Sequence, residues 1–133
     1  MATEDIAYLT VQEAIKFHVL YMRKLGETRF GVFDRNLIES ALARPQHAAT
    51  YENADIARQA ATLCYGLIKN HPWEGGNKRT ATFLTNLFLK RNGRKLETSV
   101  AELVEMVLAV ESDKWQIDEI ENWMRLRIVK IGS

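Results

Sequence analysis

Apolar residues recur every three or four positions along most of the chain, the spacing that places them on one face of an α-helix. The first such segment opens with a capping box at residues 10–13, TVQE, and Gly26 is its predicted stop. A second, short helix is predicted over about residues 34–43, and Pro45 should close it. A third covers about residues 53–69.

Three more helices follow in the second half of the chain. One is predicted from about residue 77 to Asn92-Gly93, one from a second capping box at residues 99–102 to about residue 110, and one over about residues 117–126. Between the first two helices, residues 27–33 carry β-branched and aromatic side chains around a glycine, which predicts an extended flap or a small hairpin. The pattern predicts an all-α fold of six helices in one domain, residues 1–133.

Composition narrows the class of protein without assigning a function. The chain has 133 residues, 47% of them apolar and 26% charged, as in a globular domain with one core. Its 18 Lys and Arg nearly balance its 17 Asp and Glu, so charge gives no argument for direct nucleic-acid binding or for a membrane surface. The single cysteine, Cys64, rules out an internal disulfide. A polar, acidic start unlike a signal peptide and the lack of a long apolar run make a cytoplasmic protein the expectation.

Residues 71–80, HPWEGGNKRT, form a segment that helical periodicity does not explain. We call it the signature segment. The first turn of a helix leaves backbone N–H groups unpaired, and Gly75 and Gly76 allow the preceding loop to bring an anion close to them. Lys78 and Arg79 fall in this first turn, where each cation is disfavoured by roughly 0.3–1 kcal/mol unless an anion is bound. The segment therefore predicts a phosphate site.

His71 precedes this loop and is the natural proton acceptor, because imidazole titrates near neutral pH. Taken alone, Lys78 and Arg79 are also compatible with solvated cations after a glycine turn, and a lone histidine at a helix end is usually a capping or packing residue. The combination of base, glycine loop and cations favours catalysis. His18, His47 and Cys64 have no partner pattern and are expected to be structural or surface residues.

The signature segment resembles that of the Fic/Doc family, and it is closer to the Doc branch, the death-on-curing toxins. Lys78 stands where most Fic adenylyltransferases have glycine, and Thr82 stands where they carry a second arginine. Residues 31–45 and 83–93 are also similar to family segments, so the resemblance covers most of residues 8–126. It implies a six-helix fold and a kinase that transfers the γ-phosphate of ATP to a threonine of translation elongation factor Tu, which halts protein synthesis.

The resemblance also implies roles for individual residues. His71 would deprotonate the target hydroxyl, and Lys78 and Arg79 would neutralise charge that develops during transfer. The phosphate would be held by the loop and first turn, that is, by Gly75, Gly76, Asn77, Lys78 and Arg79. The flap would align the target chain by strand addition through Arg29, Phe30, Gly31 and Val32.

Gly75 is a departure from the family pattern. The family usually has Asp or Glu at this position, where the carboxylate helps to place Mg²⁺, and here the acidic residue is Glu74, one position earlier. Either Glu74 reaches the metal or metal-assisted transfer is weakened, and the sequence assigns no metal ligand. Gly75 leaves open a catalytically weak domain that binds nucleotide or antitoxin, and a Fic-type adenylyltransferase is a further alternative, although Thr82 in place of the second arginine counts against it.

Control of activity is expected to come from another protein. Some family members carry an inhibitory helix with Ser or Thr four residues before Glu and then Gly or Asn. Thr98 and Glu102 have this spacing, but Leu103 follows them. The resemblance therefore implies a Phd-like antitoxin that acts in trans.

Overall fold

The computed structural model describes residues 5–132, which form six α-helices and a two-stranded antiparallel sheet. The elements are α1 (Val11–Lys24), α2 (Arg35–Glu52), α3 (Ile56–Asn70), α4 (Asn77–Arg91), β1 (Arg94–Leu96), α5 (Val100–Glu111), α6 (Ile117–Arg125) and β2 (Ile128–Lys130). The predicted all-α class with six helices is confirmed. None of the helices in residues 5–132 is long and apolar enough to cross a bilayer.

The helix ends follow the capping signals of the sequence. At the start of α1, the Thr10 hydroxyl accepts from the Glu13 N–H at 3.1 Å, and the Glu13 carboxylate accepts from the Thr10 N–H at 2.9 Å. Ser99 and Glu102 form the same reciprocal pair at the start of α5. At the other end of α1, Gly26 has a φ of 76°, and the hydrogen bonds of the last turn make a Schellman motif.

The predicted end of the second helix is wrong. Pro45 does not close α2, which continues through it to Glu52. A proline inside a helix loses one hydrogen bond and crowds the carbonyl four residues earlier. Here Pro45 and Ala48 are buried, on the helix that makes the most extensive contact with α3. Tertiary packing thus outweighs the local penalty.

The third helix begins later than predicted, because α2 extends to Glu52. Asn53 was predicted to open it, but Asn53 adopts a left-handed conformation and ends α2. Asp55 then caps α3, accepting a hydrogen bond from the N–H of Arg58. α3 is the centre of the fold, with ten of its residues buried and with contacts to α2, α4, α5 and α6.

The flap, residues 27–33, is extended but is not a hairpin. It lies antiparallel to the signature segment, and Val32 pairs with Trp73 in an isolated bridge. The sheet was not predicted: β1 pairs with β2 in the register Arg94↔Lys130, and each strand has three residues. Strands this short leave little alternation for a sequence pattern to reveal.

Candidate functional site

His71 ends α3 and begins the signature segment. Its backbone is left-handed, with φ 48° and ψ 56°, and Pro72 follows, so the chain leaves the helix sharply. The His71 side chain is about half exposed. A half-exposed imidazole at a helix end is placed to exchange a proton with a bound molecule.

Asn77 fixes the shape of the loop between α3 and α4. Its side-chain amide donates to the Trp73 carbonyl at 2.8 Å, and its side-chain carbonyl accepts from the Trp73 N–H at 3.0 Å. Both ends of the Asn77 side chain are therefore engaged within the loop. What Asn77 presents to an anion is its backbone N–H in the first turn of α4.

Each of the two glycines of the loop lies so close to a neighbouring residue that a side chain would collide with it. Gly76 is left-handed, with φ 71°, and a side chain there would meet the sulfur of Met22. A side chain at Gly75 would meet the carbonyl oxygen of Arg29 in the flap. Gly76 is the N-cap of α4 and supplies no side-chain cap, so the first N–H groups of the helix are left for a ligand.

Two carboxylates from other elements neutralise the cations of the signature segment. Glu111, the last residue of α5, lies with Oε1 3.3 Å from Lys78 Nζ and with Oε2 3.5 Å from His71 Nε2. Arg79 Nη1 donates to Glu27 Oε1 at 2.8 Å. Glu111 thus joins the predicted base to Lys78 at the N-terminus of α4, and Arg79 of the same helical turn has a separate carboxylate partner.

Sequence reasoning missed Glu27 and Glu111, which both lie far from the signature segment along the chain. Glu27 follows the glycine stop of α1 and carries no signal of its own. Glu111 does carry one, because a carboxylate in the last turn of a helix faces the negative end of the helix dipole and is disfavoured there. The same argument that singled out Lys78 and Arg79 could have singled out Glu111.

The flap is joined to the signature segment through its backbone. The N–H of Glu74 donates to the Gly31 carbonyl and the N–H of Phe33 donates to the Pro72 carbonyl, each at 2.9 Å. All four predicted flap residues therefore lie beside the loop. Residues of both segments line an open cavity of about 460 Å³: Arg29, Phe33, His71, Trp73, Glu74 and Asn77.

The side chains around His71 include a candidate ligand for Mg²⁺. Within residues 5–132 no three His, Cys, Asp or Glu side chains gather as metal ligands. Mg²⁺ in nucleotide sites, however, is usually held by one or two carboxylates together with phosphate oxygens and water. Glu74 lines the cavity beside His71 and is exposed, so its carboxylate fits the single-ligand arrangement.

A second cavity, which we call the apolar groove, begins at the two cations. It has a volume of about 430 Å³ and is lined by residues of α1 and its C-cap, α4 and α5: Tyr21, Leu25, Lys78, Arg79, Thr82, Val100, Leu103, Val104, Val107 and Leu108. Several of its apolar side chains are exposed, Val100 by 77%. Exposed apolar side chains beside charged ones are typical of a binding surface.

Comparison with known proteins identifies the family of the chain. A family model described as Fic/DOC matches residues 8–89, a stretch that includes the flap and the whole signature segment. The chain is also similar to the protein named Protein kinase doc of Escherichia phage P1, with 25% identity over 119 residues that cover 89% of this chain and 93% of that protein. The chain therefore belongs to the Fic/DOC family, on its Doc branch.

Proposed function

We propose that the protein is a Doc-like toxin that transfers the γ-phosphate of ATP to a hydroxyl of a protein target. One observation carries the proposal: the Glu111 carboxylate brings His71 and Lys78 together at the open N-terminus of α4. A base and a cation, both paired with Glu111, then lie beside the unpaired backbone N–H groups of the first turn of α4. These are the parts that phosphoryl transfer requires.

The reaction assigns a task to each part. The target oxygen forms a bond to the γ-phosphorus while the bond from that phosphorus to the bridging oxygen of ADP breaks, and His71 takes the proton of the hydroxyl. Lys78 and Arg79 stabilise the charge on the phosphate oxygens, and the first N–H groups of α4 bind them. When bound with ATP, Mg²⁺ would neutralise phosphate charge, and Glu74 is the side chain of this chain that would hold it.

The target would add a strand to the free edge of the flap. In the bridge between Val32 and Trp73, hydrogen bonds come from the flanking residues, so the N–H and carbonyl of Val32 point away from the signature segment. Phe33, the next residue along the flap, is 70% exposed. These features support docking of an extended target segment beside His71. From the family resemblance, the target is a threonine of translation elongation factor Tu.

The partner that restrains the toxin would be a Phd-like antitoxin acting in trans. The apolar groove ends at Lys78 and Arg79, so a helix laid into it would cover both cations. Exposed Leu25, Val104 and Leu108 would take the apolar face of that helix. The antitoxin proposal rests on the family, and the groove is the surface on this chain that fits it.

The experiment is incubation of the protein with ATP, Mg²⁺ and elongation factor Tu, followed by the intact mass of the factor. A gain of one phosphate is expected from the wild type and is expected to be lost in His71→Ala. His47→Ala is the matched control, because His47 is also an exposed histidine but lies on α2 away from the site. A His71→Ala variant that still phosphorylates the factor would overturn the assignment of the base.

A catalytically weak, nucleotide-binding domain is the second candidate, and Gly75 favours it. The Arg29 carbonyl occupies the space that a side chain at position 75 would need, so the usual carboxylate is both absent and sterically excluded. ATP binding that is unchanged by Mg²⁺, with no mass gain on the factor, would favour this candidate. A gain of one AMP would instead assign adenylyl transfer.

A further inference from the structure

His18 lies in α1, far from the signature segment along the chain, yet it is fully buried and contacts that segment. Its Nδ1 lies 2.6 Å from the hydroxyl oxygen of Thr80, and its Nε2 lies 3.0 Å from the Phe30 carbonyl. The imidazole also stacks on the Trp73 ring, with centroids 4.0 Å apart and planes 16° apart. One side chain thus joins α1, the flap, the loop and α4.

The two hydrogen bonds determine which tautomer is present. A carbonyl oxygen only accepts, so Nε2 carries the proton that is donated to Phe30. Nδ1 of the neutral ring is then an acceptor, and the Thr80 hydroxyl donates to it. Burial agrees with a neutral ring, since it lowers the pKa of His18 to about 4, although the Phe30 carbonyl opposes the shift.

We propose that His18 is a positioning residue that fixes the flap against the signature segment, with Thr80 as its partner. The inference rests on the proposed function, because the flap is the target-docking edge there. The hydrogen bond to the Phe30 carbonyl adds to the two backbone bonds that join the flap to Pro72 and Glu74. The hydrogen bond from Thr80 fixes the ring, so α4 and the flap keep one relative position.

Thr80 connects this arrangement to the phosphate loop. Its backbone N–H donates to the Gly76 carbonyl at 2.8 Å, which closes the first turn of α4, and its side chain is fully buried. The backbone of Thr80 therefore holds the anion-binding turn and its side chain holds His18. Loss of the hydroxyl alone would leave the turn intact and leave Nδ1 of His18 as a buried acceptor without its partner.

Thr80→Val tests this connection, because valine keeps the branched shape and removes the hydroxyl. Thr85→Val is the matched control: Thr85 is also a buried threonine of α4, but its hydroxyl donates to Ala81 within the helix. Backbone amide exchange would be followed at Phe33 and Glu74, the two donors that join flap and loop, relative to Leu67 in the core of α3.

We expect Thr80→Val to raise the exchange rates of Phe33 and Glu74 at least tenfold relative to Leu67, and Thr85→Val to leave those ratios unchanged. Equal acceleration of all three amides, or the same ratios in both variants, would make His18 an ordinary core residue and overturn the proposal. Ring nitrogen spectra that place the His18 proton on Nδ1 would overturn it as well.

A kinetic measurement separates this inference from the proposed function. With the protein target as variable substrate, Thr80→Val should raise KM for the target at least fivefold and leave the Kd for ATP unchanged. An increase confined to the ATP Kd would overturn the positioning role. If the wild type has no transferase activity, the proposed function fails, whereas the exchange experiment still decides whether His18 holds the flap.

Discussion

Glu111 and Lys78 face each other across the N-terminus of α4, with 3.3 Å between the carboxylate Oε1 and the lysine Nζ. Three quarters of the Glu111 side chain is buried, whereas about half of the Lys78 side chain is exposed. The free protein therefore holds a negative charge close to the place where the proposed phosphate would bind. A bound phosphate has to share Lys78 with this carboxylate.

Glu111→Gln should consequently strengthen anion binding. The substitution keeps the shape of the side chain and removes the charge that competes with phosphate for Lys78. We expect the Kd for ATP without metal to fall by roughly two- to fivefold, which corresponds to the worth of a partly exposed ion pair, about 0.5–1 kcal/mol. Calorimetric titration with ATP at low ionic strength measures this change in Kd.

Glu105→Gln is the control for net charge, since Glu105 is an exposed glutamate on the same helix. It should leave the Kd for ATP unchanged. An equal gain in affinity for both variants would mean that only the overall charge matters. Weaker binding in Glu111→Gln would mean that the carboxylate positions Lys78 for the phosphate rather than competing with it.

Gly75 lies against the Arg29 carbonyl, so a side chain at position 75 must displace the flap. Gly75→Asp would introduce the carboxylate that is usual in the family, but its Cβ would collide with backbone rather than with a flexible side chain. We expect this variant to lower the free energy of unfolding by roughly 1–3 kcal/mol, the usual range for overpacking. Urea denaturation measures the loss.

Glu74→Ala is the companion variant, because it changes the neighbouring residue without adding atoms near Arg29. It should unfold at nearly the same urea concentration as the wild type, since Glu74 is exposed. If Gly75→Asp were as stable as the wild type and bound ATP more tightly with Mg²⁺, the flap backbone could move away from position 75 at little cost in stability. The steric account of Gly75 would then be wrong.

The sequence predicted those parts of the fold that depend on local interactions. Thr10, Ser99 and Gly26 mark helix ends through bonds to residues within a few positions, so their signals can be recognised in the chain. Pro45 is the counterexample, because its penalty is local but the burial that offsets it comes from α3. The boundary of α2 could not be derived without the tertiary structure.

The same division applies to the site. His71, Lys78 and Arg79 lie within nine residues of sequence, and the helix-dipole argument makes them conspicuous. Their partners lie elsewhere in the chain, Glu111 at the end of α5 and Glu27 at the start of the flap, and the structure alone brings them together. His18 was expected to be a structural or surface residue, and its burial shows that it is structural, but its contacts with the flap and Thr80 depend on the folded arrangement.

The buried His18 also makes stability depend on pH. Its pKa is about 4 in the folded protein, lowered by burial from the ordinary 6.5, so the unfolded chain binds the proton more readily. The contribution of His18 is therefore complete above pH 6.5 and is lost as the pH falls to about 4. It amounts to on the order of 3 kcal/mol. Urea unfolding across this range should show the decline.

His18→Gln isolates this contribution. The variant should be less stable than the wild type at neutral pH, because its buried partners lose the imidazole. Its free energy of unfolding should, however, change less between about pH 7 and pH 4 than that of the wild type. Parallel curves for the two proteins would show that His18 is not the group responsible.

Asp55 has two tasks at the start of α3, and two substitutions separate them. Its carboxylate caps the helix through the Arg58 N–H, and it forms a bidentate pair with Arg125 of α6 at 2.8 and 3.0 Å. The Arg125 guanidinium holds the pKa of Asp55 below its usual value. Asp55→Asn keeps a capping oxygen and loses the charge, so it should lower the free energy of unfolding by less than about 1 kcal/mol. High salt should make this loss smaller still.

Asp55→Ala removes both the cap and the ion pair, and should cost roughly 1–2 kcal/mol in the free energy of unfolding. Asp34, the cap of α2, accepts from the Asn36 N–H and has no ion-pair partner within residues 5–132, so Asp34→Asn supplies the comparison. Asp34→Asn should leave the free energy of unfolding unchanged at any ionic strength. A salt-independent loss in Asp55→Asn would mean that Arg125 contributes through packing on α3 rather than through its charge.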